Sequence, residues 1–230
     1  MLNELKKQVL SANLALPAQG LVLFTWGNVS GIDRDSGLVV IKPSGVEYAE
    51  LTEEKMVIVN MDGQVVEGDY RPSSDTPTHL ALYRAFPDLG GIVHTHSTFA
   101  TAFAQAQRPI LPYGTTHADY FHGYVPCTRV LRAAEVEENY EENTGKVIVE
   151  AFQSLDVKST VGVLAANHGP FTWGKSPEEA VYHATVLEEI AKMAYLTEQL
   201  SPKAEPAAPY ILDKHFSRKH GKNAYYGQDT

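Results

Sequence analysis

His94-Thr95-His96 closes the apolar run Gly90-Gly91-Ile92-Val93. Alternate residues of a strand point to one face, so both imidazoles can reach one ion while Thr95 points away. A third candidate ligand, His168, sits in Asn167-His168-Gly169 after a second apolar run at 161–166. Three neutral imidazoles leave an exchangeable fourth position for water or a substrate oxygen, which is the composition of a catalytic metal site rather than a sealed one. Zinc suits such borderline ligands, and Mn2+ or Co2+ can use the same residue types. The competing reading is a set of strand-end histidines satisfied by interior hydrogen bonds. Asp75, beside Ser73 and Ser74, is a candidate fourth ligand, near-metal carboxylate or general base; its alternative is to cap the helix that follows.

A second group of residues suits an anion. Asn28, Ser44, Gly45, Ser73 and Ser74 stand on separate turns and could offer hydroxyl, amide and backbone donors to a terminal phosphate, with Lys42 adding charge. Ordinary turn satisfaction explains the same residue types, and solvent exposure is the plain alternative for Lys42. No GxxxxGK[ST] loop is present, so the sequence gives no support to ATP binding. Thr115, His117 and Asp119 concentrate acid, base and hydroxyl groups between glycine and proline, and Asp119 can exchange a proton with a substrate hydroxyl. Tyr226 offers a second proton-transfer group from another part of the chain; loop hydration and aromatic packing are the respective alternatives.

Regular elements must position these groups. Leu2, Leu5, Val9, Ala12 and Leu16 recur at helical spacing, predicting a first helix that ends before Pro17. A hairpin is expected around Arg34-Asp35-Ser36-Gly37, and a second strand pair about Asp62-Gly63. Pro77 marks a helix start over 78–86, Ser97 is placed to cap a helix over 98–107, and Ser176-Pro177 opens a long helix ending near Leu200. The acidic stretch from Glu135 to Glu142 reads as a solvated helix or loop that Gly145 ends before another helix begins at Val147. Residues 201–209 form a connector, and beyond them a basic, aromatic tail is free to close over a site or join a neighbouring subunit. The pattern predicts one α/β or α+β domain over 1–230, without internal repeats.

The formal charge of -9 argues against a broad nucleic-acid-binding face and for a small-molecule partner. Cys127 is the single cysteine, so no intrachain disulfide is possible. The start of the chain lacks the apolar segment of a signal peptide, and no apolar run has membrane-spanning length. The expected setting is the cytoplasm, with no membrane partner.

Taken together, these segments resemble the L-ribulose-5-phosphate 4-epimerases of the class II sugar-phosphate aldolase/epimerase family. The resemblance covers nearly the whole chain and is carried by FTWGNVSGID at 24–33, VIKPSGV at 40–46, RPSSDTPTH at 71–79, GGIVHTHS at 90–97, GTTHADYFHG at 114–123, NHGPFTWG at 167–174 and DKHFSRKHGKNAYYGQ at 213–228. Aldolases of the superfamily often have glutamate where this chain has Asp75, and the combination of Asp75, Asp119 and Tyr226 is similar to the epimerase branch. The resemblance implies a three-layer α/β/α class II aldolase-like fold around a predominantly antiparallel sheet. It implies Zn2+ or another divalent metal on His94, His96 and His168 with Asp75 close by, and phosphate on Asn28, Ser44, Gly45, Ser73 and Ser74 near Lys42.

Thr115, Asp119, Glu141, His215, Arg218 and Tyr226 are implied as further pocket residues, with Asp119 and Tyr226 as the proton-transfer pair. Glu141, His215 and Arg218 could instead pair with one another across an interface. A cyclic homotetramer with sites between subunits is implied, acting on a pentulose phosphate in arabinose, ascorbate or another pentose route. The C2 carbonyl of L-ribulose 5-phosphate does not activate the C4 proton, so the implied route breaks and remakes the C3–C4 bond. A class II aldolase that releases the cleaved fragment, and a noncatalytic metal-dependent sugar-phosphate binder, are the alternatives.

Overall fold

The computed structural model describes residues 2–222 and 224–226; the rest of the quoted C-terminal motif, Asn223, Gly227 and Gln228, lies outside them. Its elements in chain order are α1 (Asn3–Ala18), β1 (Asn28–Asp33), β2 (Leu38–Ile41), β3 (Val57–Val59), β4 (Val65–Glu67), α2 (Thr76–Ala85), β5 (Gly91–His94), α3 (Thr98–Gln105), α4 (Thr115–Ala118), α5 (Ala133–Ala151), β6 (Gly162–Ala165), β7 (Gly169–Gly174), α6 (Pro177–Leu200) and α7 (Pro209–His220). The strands form one seven-stranded sheet in the order β4-β3-β2-β1-β5-β7-β6. Every neighbouring pair is antiparallel.

The period of two along each strand builds the layers. Val39, Val57, Val59 and Ile92 face one side, where Leu80 and Tyr83 of α2 and Ile148 of α5 pack. Val40, Ile58 and Val93 face the other, against Val9, Ala12 and Leu16 of α1 and Ala180, Val181 and Ala184 of α6. Both faces are covered, so the short strands are buried along most of their length, as their near-continuous apolar runs require. The result is the expected three-layer α/β/α arrangement with an antiparallel sheet.

Several local expectations are corrected. The first helix does not stop before Pro17 but runs through it to Ala18. Asn13, fully buried, also pins α1 to β1 by accepting from Val29 N at 2.9 Å. Gly145 is no terminator: it lies inside α5, whose geometry breaks instead at Asn139 (φ -150°, ψ 75°). Ser97 does not cap α3, because its Oγ is buried without a partner among the described residues. The carboxylate of Glu188 on α6 does so, accepting from Phe99 N at 2.8 Å and Ala100 N at 2.9 Å. Helix N-termini carry free amides and partial positive charge, which a carboxylate satisfies more strongly than a hydroxyl. The tail beyond the connector, whose structure the sequence left open, forms α7, which packs on α4.

Candidate active site

β5 ends at His94, in the middle of the sheet, between β1 and β7. Its Nδ1 lies 3.0 Å from the Pro170 carbonyl and its ring stacks on Phe171 with centroids 4.3 Å apart. Nδ1 therefore faces an acceptor, and Nε2 is directed outward, 3.0 Å from His96 Nε2. The β6–β7 turn brings in His168, whose ring centroid is 4.5 Å from that of His94 and 5.1 Å from that of His96. One ligand nitrogen from each ring lies within 4.8 Å of the others. Burial lowers the pKa of His96, and it lowers that of His168 to about 3 with the neighbouring His94 charge adding to the effect. Three imidazole nitrogens gathered this closely fit a divalent metal, and the cluster is the metal site the resemblance implies.

Asp75 occupies the N-cap position of α2 but makes no side-chain cap. Its carboxylate accepts from Asn28 Nδ2 at 2.7 Å. Burial pushes its pKa up, yet the facing His94, His79 and His168 and the Asn28 amide outweigh burial and hold it below the usual carboxylate range. Asn28 stands directly across from His94 in the β1–β5 register. It spends one Nδ2 hydrogen on Asp75 and has a second that could donate to an anion, while its Oδ1 is buried without a partner among the described residues. Gly27 makes that approach possible: with φ +81°, a Cβ there would lie 2.8 Å from the His94 carbonyl oxygen.

The cleft in front of the histidines has a volume of about 380 Å³. His94, His96, His168 and Asp75 line it together with Lys42, Ser44, Gly45, Ser73 and Ser74. Lys42 is not solvent-exposed but buried, donating to the Val46 carbonyl at 2.8 Å, with Nζ 5.0 Å from the Tyr48 ring centre. Burial lowers its pKa to about 8. No carboxylate forms an ion pair with it among the described residues, so an anion in the cleft would supply the missing charge. The backbone amides of Ser44 and Ser73 are spent on the Arg71 and Lys42 carbonyls, so these serines would reach a ligand through their hydroxyls, with Ser73 Oγ also accepting from Asp75 N at 3.3 Å. Glu141 also lines the cleft, together with Tyr140, which the sequence did not single out.

Thr115, Asp119, His215, Arg218 and Tyr226 gather elsewhere. Asp119, at the end of α4, accepts from Arg218 Nε at 3.0 Å and Nη2 at 2.7 Å, and from His215 Nδ1 at 3.0 Å. Burial opposes its ionisation, but these donors outweigh it and lower its pKa. Arg218 and Lys219 stack on the Tyr226 ring, at 4.9 and 4.4 Å from its centre. Thr115 opens α4, and its carbonyl accepts from Asp119 N. None of these five lines the histidine cleft within one chain. Arg218 and His215 converge on Asp119, not on Glu141. His117, a candidate for orienting substrate, is instead buried against the Gly123 carbonyl at 2.8 Å.

Beneath the cleft, Ser30 Oγ joins His79 Nδ1 at 2.7 Å and the Tyr83 hydroxyl at 2.9 Å. The spacing of Asp75 and His79, one helical turn apart, was a signal that could have found this layer.

A family model described as "Class II Aldolase and Adducin N-terminal domain" matches residues 7–195. The chain belongs to this family. Among curated relatives, L-ribulose-5-phosphate 4-epimerase UlaF of Salmonella typhi is 58% identical over 99% of this chain and 100% of its own length. The protein of the same name from Salmonella choleraesuis (strain SC-B67) matches to the same extent. Among solved structures, an L-fuculose 1-phosphate aldolase aligns with a TM-score of 0.79 and 25% identity, covering 94% of this chain and 95% of that one. The l-fuculose-1-phosphate aldolase of Thermus thermophilus aligns with a TM-score of 0.67 and 26% identity, over 89% of this chain and 100% of its own. The family model stops before α7, whereas the likeness to the epimerases runs through it.

Proposed function

We propose that the protein interconverts L-ribulose 5-phosphate and D-xylulose 5-phosphate by breaking and remaking the C3–C4 bond. The observation that carries this reading is a divalent-metal triad sharing one cleft with a buried Lys42 that has no ion-pair partner among the described residues, in a chain 58% identical to L-ribulose-5-phosphate 4-epimerases over nearly its full length. A divalent ion, Zn2+ by ligand type with Mn2+ or Co2+ as substitutes, supplies positive charge to the sugar oxygens that become anionic as the bond breaks. Lys42, Ser44, Gly45, Ser73 and Ser74 hold the phosphate, with Asn28 between them and Asp75. Holding that remote group keeps the two-carbon aldehyde phosphate in place while it rotates to expose its other face.

Asp119 and Tyr226 form the proton-transfer pair at the C4 oxygen. One takes the hydroxyl proton as C3–C4 cleaves, and the other returns a proton when the bond re-forms on the opposite face. The ion pair with Arg218 and the contact with His215 keep Asp119 ionised and ready to accept. Because this cluster does not line the cleft of its own chain, it serves the cleft of a neighbour. Thr115 stands beside it at the start of α4, while Glu141 reaches the substrate from α5. The residues from 201 onward thus belong to the catalytic domain and contribute to the active site. The working unit is a cyclic homotetramer with sites between subunits. A charged sugar phosphate does not cross a membrane unaided, which supports a cytoplasmic setting; among the described residues no helix is long and apolar enough to span one.

Incubation of the zinc-loaded protein with L-ribulose 5-phosphate tests the reading. D-xylulose 5-phosphate should form without net glycolaldehyde phosphate. Release of the aldehyde without epimer would place the protein with the aldolases, and binding without turnover would make it a sugar-phosphate binder.

A further inference from the structure

The hydroxyl of Tyr140 lies 3.4 Å from His168 Nδ1, and the two rings are 6.0 Å apart at 38°. The break in α5 at Asn139 immediately precedes this residue. Side chains hold the break: Asn143 Nδ2 donates across it to the Glu135 carbonyl at 2.8 Å, and Thr78 Oγ1 on α2 clamps the Glu141 carbonyl at 2.6 Å. Thr78 and Asn143 are both buried. A mid-helix break fixed in this way is a built feature, and it delivers Tyr140 to the cleft wall.

His94 and His168 are held differently. The His94 ring is stacked on Phe171 and tied to the Pro170 carbonyl. Behind His168 lies a second cavity of about 160 Å³, which His168 and Tyr140 separate from the cleft. Apolar packing alone leaves that imidazole room to swing, and the Tyr140 hydroxyl is the polar contact on its Nδ1 edge. With Nδ1 engaged, Nε2 remains for the point where His94 Nε2 and His96 Nε2 meet.

We propose that Tyr140 is the positioning residue of the metal centre, accepting the Nδ1–H of His168 and so fixing the tautomer and rotation that present Nε2 to the ion. The tyrosine hydrogen stays free for the cleft. This inference rests on the reading of the three histidines as a metal site and is independent of which sugar phosphate turns over.

The binding and NMR measurements use the full chain without substrate, and turnover is measured separately. Tyr140→Phe removes the hydroxyl and keeps the ring. Competition with a chromophoric chelator should show zinc bound about 10- to 100-fold more weakly than by the parent. In the zinc-loaded parent labelled with 15N-histidine, His168 should show an Nδ1–H protected from exchange, and this measurement stands even where the variant does not fold. Equal zinc affinity in a folded variant, or a His168 protonated on Nε2 in the parent, overturns the proposal. Loss of turnover at unchanged zinc affinity also overturns it, by moving the hydroxyl's role to the substrate. A parent chain that binds no zinc would instead overturn the metal reading beneath it.

Discussion

His79 shows how a single residue under the site links chemistry to stability. It is fully buried, and burial lowers its pKa to about 3 although Asp75 opposes the shift. In the unfolded chain it takes up a proton near pH 6.5. Below that value the unfolded state binds more protons than the folded one, so stability falls as pH drops from about 6.5 towards 3. Above that window the residue makes no pH-dependent contribution. Urea unfolding of the metal-free protein should therefore lose about 1.4 kcal/mol per pH unit from this one group across the window. His79→Gln should flatten the slope by about one proton. His117 and His168, lowered by burial to about 4 and about 3, add slopes of their own in the parent and remain in the variant. Identical slopes for parent and variant would show that His79 is protonated in the folded protein.

At the scale of elements, the site depends on how closely α2 and α5 approach, because α2 carries Asp75 at its start and α5 carries Tyr140 and Glu141. Gly145 sets that distance. A Cβ there would lie 2.5 Å from Ala81 Cβ and 3.1 Å from the Thr78 carbonyl oxygen. Alanine improves helix propensity by up to about 1 kcal/mol, whereas overpacking a core contact costs roughly 1–3 kcal/mol. Gly145→Ala should therefore lower the urea midpoint, and a raised midpoint would show that the helices separate freely. The same position marks the limit of what sequence makes legible. A glycine after an acidic run has the local chemistry of a helix end, and only the partner helix explains its presence mid-helix. The strands, both hairpins, the Ser176 start of α6 and the two histidine corners were readable because period, turn chemistry and spacing are local properties. Tyr140 and the Glu188 cap were not, since each depends on an element distant in sequence. Lys42 was legible as a charge near donors, but not its burial, with Nζ bonded to the Val46 carbonyl and 5.0 Å from the Tyr48 ring centre.

For the whole molecule, the proposed function makes the histidine cleft and the Asp119–Tyr226 cluster two halves of one site contributed by different chains. The histidine cleft and the Asp119–Tyr226 cluster do not share a pocket, and α7 carries its half on a helix packed against α4. A cyclic assembly in which each cleft takes its second half from the next subunit makes every site depend on two chains. Two variants, each disabled in a different half, should then rescue one another. His96→Ala removes a metal ligand and Tyr226→Phe removes the phenolic hydroxyl, so each alone should have little epimerase activity. When the two are denatured together in equal amounts and refolded, a site is intact only if its cleft comes from the Tyr226→Phe chain and its tail from the His96→Ala chain. Random assembly gives about one intact site in four, so activity should recover to roughly a quarter of the parent's at the same chain concentration. Sites built within single chains predict no recovery at all. The recovered activity should also vanish on dilution below the concentration at which the assembly dissociates, because neither half can complete a site alone.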